Sequence, residues 1–246
     1  MGKNKLEKFA ENRTFEHVIE PELDSYFTQD HLTKGRWHEQ IFHNDNPIVL
    51  ELGCGKGEYA VEMAAKYPDK NFIGIDIKGA RLWRGAKTVA EKGMSNICFL
   101  RIRIEFLHRF FGADEVSEIW ITFPDPQRKK RRRKKRLTHS GFLTMYQRFL
   151  KPQNVVHLKT DSLFTHNYTK EVIAHNNLNV LACTSNLYES NLYSGELKIK
   201  THYESLYLEG NPTITYLKFK IDHNVNLKEP ETEDEVFWKE AAEYER

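Results

Sequence analysis

Cysteine is scarce in this chain. Cys54, Cys98 and Cys183 are odd in number, widely spaced and never arranged as Cys-x-x-Cys. They suggest neither a disulfide framework nor a zinc site, so no metal is expected, and a reducing cytoplasm fits. Long apolar runs are missing too: none nears the roughly 20 residues that cross a bilayer, which argues against a membrane protein. The start, Met1-Gly-Lys-Asn-Lys-Leu-Glu-Lys8, has no apolar segment of the kind a secretion signal needs. No internal repeat is visible, and only residues 128–136 are of low complexity. A chain of 246 residues can bury one large α/β core undivided.

What is present centres on Ile48-Val-Leu-Glu-Leu-Gly-Cys-Gly-Lys-Gly57. An apolar run ends in glycines at alternate positions, Gly53, Gly55 and Gly57. Apolar residues at helical spacing follow (Ala60, Val61, Met63, Ala64, Tyr67). A buried strand turning through glycines into a helix is how an open α/β sheet builds a nucleotide site. Dinucleotide sites use Gly-x-Gly-x-x-Gly, whereas here the third glycine comes one residue early. Glu51, two residues before the first glycine, would repel a pyrophosphate but suits the sulfonium and ammonium of S-adenosylmethionine. The next strand, Asn71 to Asp76, ends in an acid placed to accept both ribose hydroxyls. The combination favours S-adenosylmethionine over NAD.

From residue 47 onward strands and helices alternate. Strands are expected at 47–52, 71–76, 96–102, 117–123, 154–160, 178–184 and 213–221. Helices are expected at 57–67, 79–92, 104–111, 139–150, 164–176 and near 196–209. Alternation of this kind means parallel strands joined by right-handed crossovers. Asn211-Pro212 makes a tight connection that lets the last strand run antiparallel. The expected fold is α/β: a Rossmann-like, mostly parallel seven-strand sheet with one antiparallel strand and helices on both faces. Residues 1–45 read as a basic, aromatic arm that either contacts RNA or is pinned to the core by its rings. Residues 46–222 form the domain and 223–246 an acidic tail, expected to be a solvated helix or a disordered end. Residues 229–246 carry eight acids against Lys239 and Arg246, a net of −6 that leaves +8 on the rest. A basic body suits a polyanion partner.

Ligands of open α/β sheets lie beyond the carboxyl ends of the strands. The strand Glu118-Ile-Trp-Ile-Thr-Phe123 delivers Pro124-Asp125-Pro126-Gln127 to that rim, and the two prolines restrict the backbone on both sides of Asp125. Arg128 to Arg136 are nine consecutive Lys or Arg residues. Such a run is often only a solvated loop or an import signal, but this one adjoins the expected donor site. If about four of the nine meet phosphates, log K falls with log salt with a slope near −3. A nucleic acid is the expected substrate.

These residues resemble the bacterial tRNA (guanine-N7)-methyltransferases over nearly all of residues 3–221. The match rests on Glu51-Leu-Gly-Cys-Gly-Lys-Gly57, Gly74-Ile-Asp76, Phe123-Pro-Asp-Pro126 with its basic sequel, Lys159-Thr-Asp161 and Thr201-His-Tyr-Glu204. The resemblance implies methyl transfer from S-adenosylmethionine to N7 of guanosine 46 in the tRNA variable loop, by a monomer or homodimer. It implies Glu51 and Asp76 as donor-binding and Asp125 as catalytic; Gly53, Gly55, Gly57, Asp125 and backbone groups around Arg103 are expected to complete the donor site. Lys129, Asp161, Thr201, His202, Tyr203 and Glu204 are implied as tRNA contacts. Two positions depart from the family pattern: Arg103 stands where an acid usually reads the adenine, and Gln127 where the family prefers Trp.

Guanine N7 has a free lone pair and no proton, so transfer needs positioning and no general base. A carboxylate can accept from N1–H and N2–H₂ of guanine, and either Asp125 or Asp161 is expected to do so. Asp161 could instead cap the following helix, and Glu204 could merely pair with Lys198 or Lys200. Rival readings are a methyltransferase acting on another RNA base, rRNA or protein, a non-catalytic RNA-binding subunit, and, weakest, an NAD oxidoreductase.

Overall fold

The protein is described from a computed structural model that covers residues 4–22, 25–207, 213–231, 235–237 and 239, without the side chains of 202, 206 and 207. All seven expected strands form: β2 (Ile48–Leu52), β3 (Asn71–Ile75), β4 (Ile97–Leu100), β5 (Val116–Thr122), β6 (Leu150–Thr160), β7 (Val180–Thr184) and β8 (Thr215–Phe219). The arm adds a two-residue strand, β1 (Val18–Ile19), so the sheet order is β1-β4-β3-β2-β5-β6-β8-β7. Among the described residues only β8 runs antiparallel to its neighbours, β6 and β7.

Alternation along the strands builds two cores. Ile48, Leu50 and Leu52 of β2 share one cluster with residues of α5 (Ser140–Gln147) and α6 (Leu163–His175). Val49 joins the other, with Phe72, Phe99 and Trp120, under α3 (Glu58–Lys66) and α4 (Gly79–Lys92). A parallel strand buried on both faces explains why β2 reads as a continuous apolar run rather than as an alternating one. The strand order reverses between β2 and β5, whose carboxyl ends therefore open onto a crevice between two outgoing loops.

The arm is pinned by its rings. Trp37 is fully buried, stacked on Phe111 with centroids 5.1 Å apart, and its Nε1 donates to the Phe110 carbonyl. Helix α1 (Lys5–Asn12) lies on α4, where Trp83 Nε1 donates to Glu11 and Asn12 Nδ2 to the Gly79 carbonyl. Three local expectations need correction. The helix expected near 196–209 is broken into a 3-10 turn, Gly195–Lys198, and α7 (His202–Tyr207), and its last two positions lie outside the described residues. Among the described residues the acidic tail is not a free solvated end: Leu227 and Phe237 are buried. There Glu229 accepts from Arg133 Nε at 2.9 Å, from Ser140 N and from the Tyr168 hydroxyl. Strand β6 also begins earlier than expected, at Leu150.

Candidate active site

The glycine loop owes its shape to positive φ. Gly53 (+76°) and Gly55 (+57°) have open space where a Cβ would stand, so it is backbone conformation, not crowding, that demands glycine there. Gly57 (+71°) is different: a Cβ would meet the Phe99 ring at 2.4 Å. Gly57 is the N-cap of α3 and has no side chain to satisfy that helix's first N–H groups. Glu51 supplies the acceptor from β2. Its Oε2 accepts from Ala60 N at 3.0 Å and its Oε1 from Thr122 Oγ1 at 2.6 Å. Burial pushes the Glu51 carboxyl up to about 7, against those two hydrogen bonds. Asp76, at the end of β3, accepts from Gly55 N (2.9 Å) and Lys78 N (2.7 Å) and so ties the loop to the neighbouring strand.

Across the crevice, β5 ends in Phe123 (φ +47°), Pro124, Asp125, Pro126 and Gln127 (φ +47°). Two non-glycine residues in the left-handed region flank the acid. Such strain costs on the order of 1–3 kcal/mol per residue and persists only where surroundings enforce it. Enforcement is visible on both sides: Phe123 N donates to the Lys159 carbonyl at 2.8 Å, and Gln127 N to Asp125 Oδ1 at 3.0 Å. Asp125 stays exposed. A third wall comes from the end of β6 and from α7, where the Tyr203 hydroxyl donates to Asp161 Oδ2 at 3.1 Å. The N-cap of α6 is Ser162 rather than Asp161, which leaves the acid to the cleft.

One cleft of about 810 Å³ collects Glu51, Gly53, Gly55, Asp76, Asp125, Asp161, Thr201 and Tyr203. The size suits a small-molecule site. A sulfonium donor fits these residues: carboxylates ring the cleft, the space over Gly53 and Gly55 is open, and Asp76 stands beside that loop. Among the described residues no group of His, Cys, Asp and Glu could hold a metal.

A family model described as putative methyltransferase matches residues 45–217. The tRNA (guanine-N(7)-)-methyltransferase of Bacteroides thetaiotaomicron is 50% identical over 236 residues, covering 96% of this chain and 93% of that protein. That of Christiangramia forsetii is 52% identical over 221 residues, 89% of this chain and 99% of that one. The chain belongs to the tRNA (guanine-N7)-methyltransferase family. A 16S rRNA methyltransferase, KamB, has a related fold, with a TM-score of 0.57 at 14% identity, over 75% of this chain and 92% of that one.

Within this methyltransferase four expected site residues lie elsewhere. Arg103 is turned to Glu105, its Nη2 at 3.2 Å from the carboxylate, and does not line the cleft. Lys129 is exposed and does not line the cleft, although its neighbour Arg128 does. Gly57 serves the packing beneath, and the His202 side chain is outside what is described. Glu204 needs the largest correction. Its carboxylate is fully buried and pairs with Lys159, not with Lys198 or Lys200. Lys159 Nζ reaches both Glu204 oxygens (2.8 and 2.9 Å) and the Ile199 carbonyl (2.9 Å), and Tyr188 donates its hydroxyl to the same carboxylate. Burial pulls the Lys159 ammonium below the usual lysine range while Glu204 opposes it.

The cations Lys56, Lys78 and Arg81 line the cleft too; Lys56 lies inside the glycine motif, and no motif marks the other two. Of the nine-residue basic run, Lys130–Lys135 coil into a 3-10 turn. Arg136 is buried against the rings of Phe164 and Tyr168, and Arg133 holds Glu229, while the other seven are exposed.

Proposed function

We propose that this protein transfers a methyl group from S-adenosylmethionine to N7 of a guanosine in tRNA, guanosine 46 of the variable loop. The observation that carries the reading is a single cleft in which the glycine loop with Glu51 and Asp76 faces the strained Pro124-Asp125-Pro126 turn. The exposed cations begin immediately after that turn. When bound, S-adenosylmethionine supplies a methyl group on a positively charged sulfur, an electrophile with its leaving group attached.

Everything else falls to this chain. Asp76 and the bare backbone of the glycine loop orient the donor, and Glu51 meets its positive charge. Asp125 and Asp161 face the base from two walls, and either can accept from the N1–H and N2–H₂ edge that guanine has and adenine lacks. With that edge held, N7 is presented in line with the methyl. Its lone pair needs no proton removed, so alignment supplies most of the acceleration, on the order of 7–11 kcal/mol. Positive charge arriving on the purine is stabilised by the same carboxylates. Exposed Lys129, Arg131, Arg132, Lys134 and Lys135 hold the phosphate chain.

No helix among the described residues is long and apolar enough to cross a membrane. A tRNA substrate fits a cytoplasmic enzyme. The test is incubation with labelled donor and unmodified tRNA, followed by mapping of 7-methylguanosine. Label at guanosine 46 is the expected result, and label on another base or on none would refute it.

A further inference from the structure

We propose that the buried Lys159–Glu204 ion pair is a positioning device for the guanine. It sets Thr201 and Tyr203 against Asp161 and Asp125, and the idea rests on the reading of the cleft as a site of transfer to tRNA guanosine. Both side chains are wholly buried, at 0% exposure each. Every polar group is met: two carboxylate oxygens and the Ile199 carbonyl surround the ammonium, and the Tyr188 hydroxyl completes the carboxylate. Such a pair contributes little to stability, because removing both charges from water offsets their attraction, and apolar side chains of the same volume fill such a space as well. What the pair supplies is directionality.

Lys159 ties two walls of the cleft together. Through its carbonyl it receives Phe123 N, the residue that starts the strained turn to Asp125. Through its ammonium it holds the 197–204 segment, reaching the Ile199 carbonyl and Glu204. Helix α7 has only six residues, too few to hold an orientation by its own hydrogen bonds. Its start is fixed by Glu204 N donating to Thr201 Oγ1 at 3.0 Å, and its buried anchor is the Glu204 carboxylate. Tyr203, one residue away and 53% exposed, then turns its hydroxyl to Asp161 and its ring to Phe123, with centroids 5.7 Å apart. Glu204 therefore acts through Tyr203 and Thr201 and does not itself touch the base.

The experiment uses the full chain with unmodified tRNA and compares the parent with the double variant Lys159→Met/Glu204→Leu, which removes both buried charges together. Thermal unfolding, donor affinity by calorimetry, and kcat and KM for tRNA are measured. The double variant should unfold cooperatively and bind donor within about threefold of the parent, as expected when a buried pair is exchanged for apolar groups. Its kcat should fall on the order of 100-fold, the cost of a reactant displaced by about 1 Å. KM for tRNA, set by the basic turn, should stay nearly constant. Tyr188→Phe removes one hydrogen bond while leaving the ion pair, and should lower kcat about fivefold at constant KM. A double variant as fast as the parent, or one losing donor affinity in step with rate, overturns the proposal. If the double variant does not fold, an unchanged kcat in Tyr188→Phe overturns it. A parent that makes no 7-methylguanosine refutes instead the functional reading beneath it.

Discussion

Glu51→Gln is the substitution with the sharpest consequences. The carboxyl is buried, and burial with nearby Asp76 and Glu58 holds it at about 7 rather than 4.5 despite hydrogen bonds from Thr122 and Ala60. Relative to an exposed carboxyl, that difference favours the protonated form by about 3 kcal/mol. The sign follows from linkage. The folded value is the higher one, so folded protein binds more protons between the two values. The stability this group contributes is full below about pH 4.5 and is lost as pH rises through about 7. Glutamine keeps an acceptor for Ala60 N and offers a donor to Thr122, so Glu51→Gln should raise the melting temperature at pH 8. Donor binding should behave in the opposite way. A sulfonium and an ammonium favour the ionised carboxylate, so binding to the parent releases a proton below pH 7. Donor affinity should then rise about tenfold per pH unit up to about 7 and level off above. Calorimetry with S-adenosylmethionine from about pH 5.5 to about pH 8.5, in buffers of different ionisation enthalpy, reads both the slope and the released proton. The variant should bind more weakly and without that slope. A parent whose affinity is flat below pH 7, or a variant with the same slope, would refute the reasoning.

Other perturbations separate the remaining parts of the site. Asp125→Ala should bind donor almost normally and lose at least about 100-fold in transfer to tRNA, measured in a single turnover; unchanged turnover would remove Asp125 from the mechanism. Replacing exposed Lys129, Arg131 and Arg132 with Ala should raise KM for tRNA and make the slope of log K against log salt shallower by about 2, while kcat holds. Gly57→Ala puts a Cβ at φ +71° and 2.4 Å from Phe99, so stability should fall by about 2 kcal/mol or more. The melting temperature would then drop by roughly 4–8 °C.

What was legible in the sequence was whatever depends on local pattern. The strand β2, its glycine exit and α3 follow from an apolar run, three alternating glycines and a helical repeat, and the seven expected strands all form. Strand β1 was not legible, since two residues in an aperiodic arm become a strand only by pairing with β4. The Lys159–Glu204 pairing was not legible for a similar reason. Sequence neighbours made Lys198 and Lys200 the natural partners, whereas the real partner arrives from β6, 45 positions away. One signal was there: a lysine inside Val-Val-His-Leu-Lys-Thr, an apolar strand, needs a buried counter-charge. The basic run looked uniform, yet Arg136 is stacked on rings and Arg133 is spent on Glu229, because charge alone does not say which side chains face inward.

The most direct test is a crystal structure of the protein with S-adenosylhomocysteine, the demethylated donor, and a guanosine nucleotide. The sulfur should lie over the glycine loop, with the Asp125 carboxylate turned toward the cleft and N7 of the purine pointing at the sulfur. A complex in which Asp125 faces away from the bound molecule, or in which the purine docks on another face of the sheet, would contradict it.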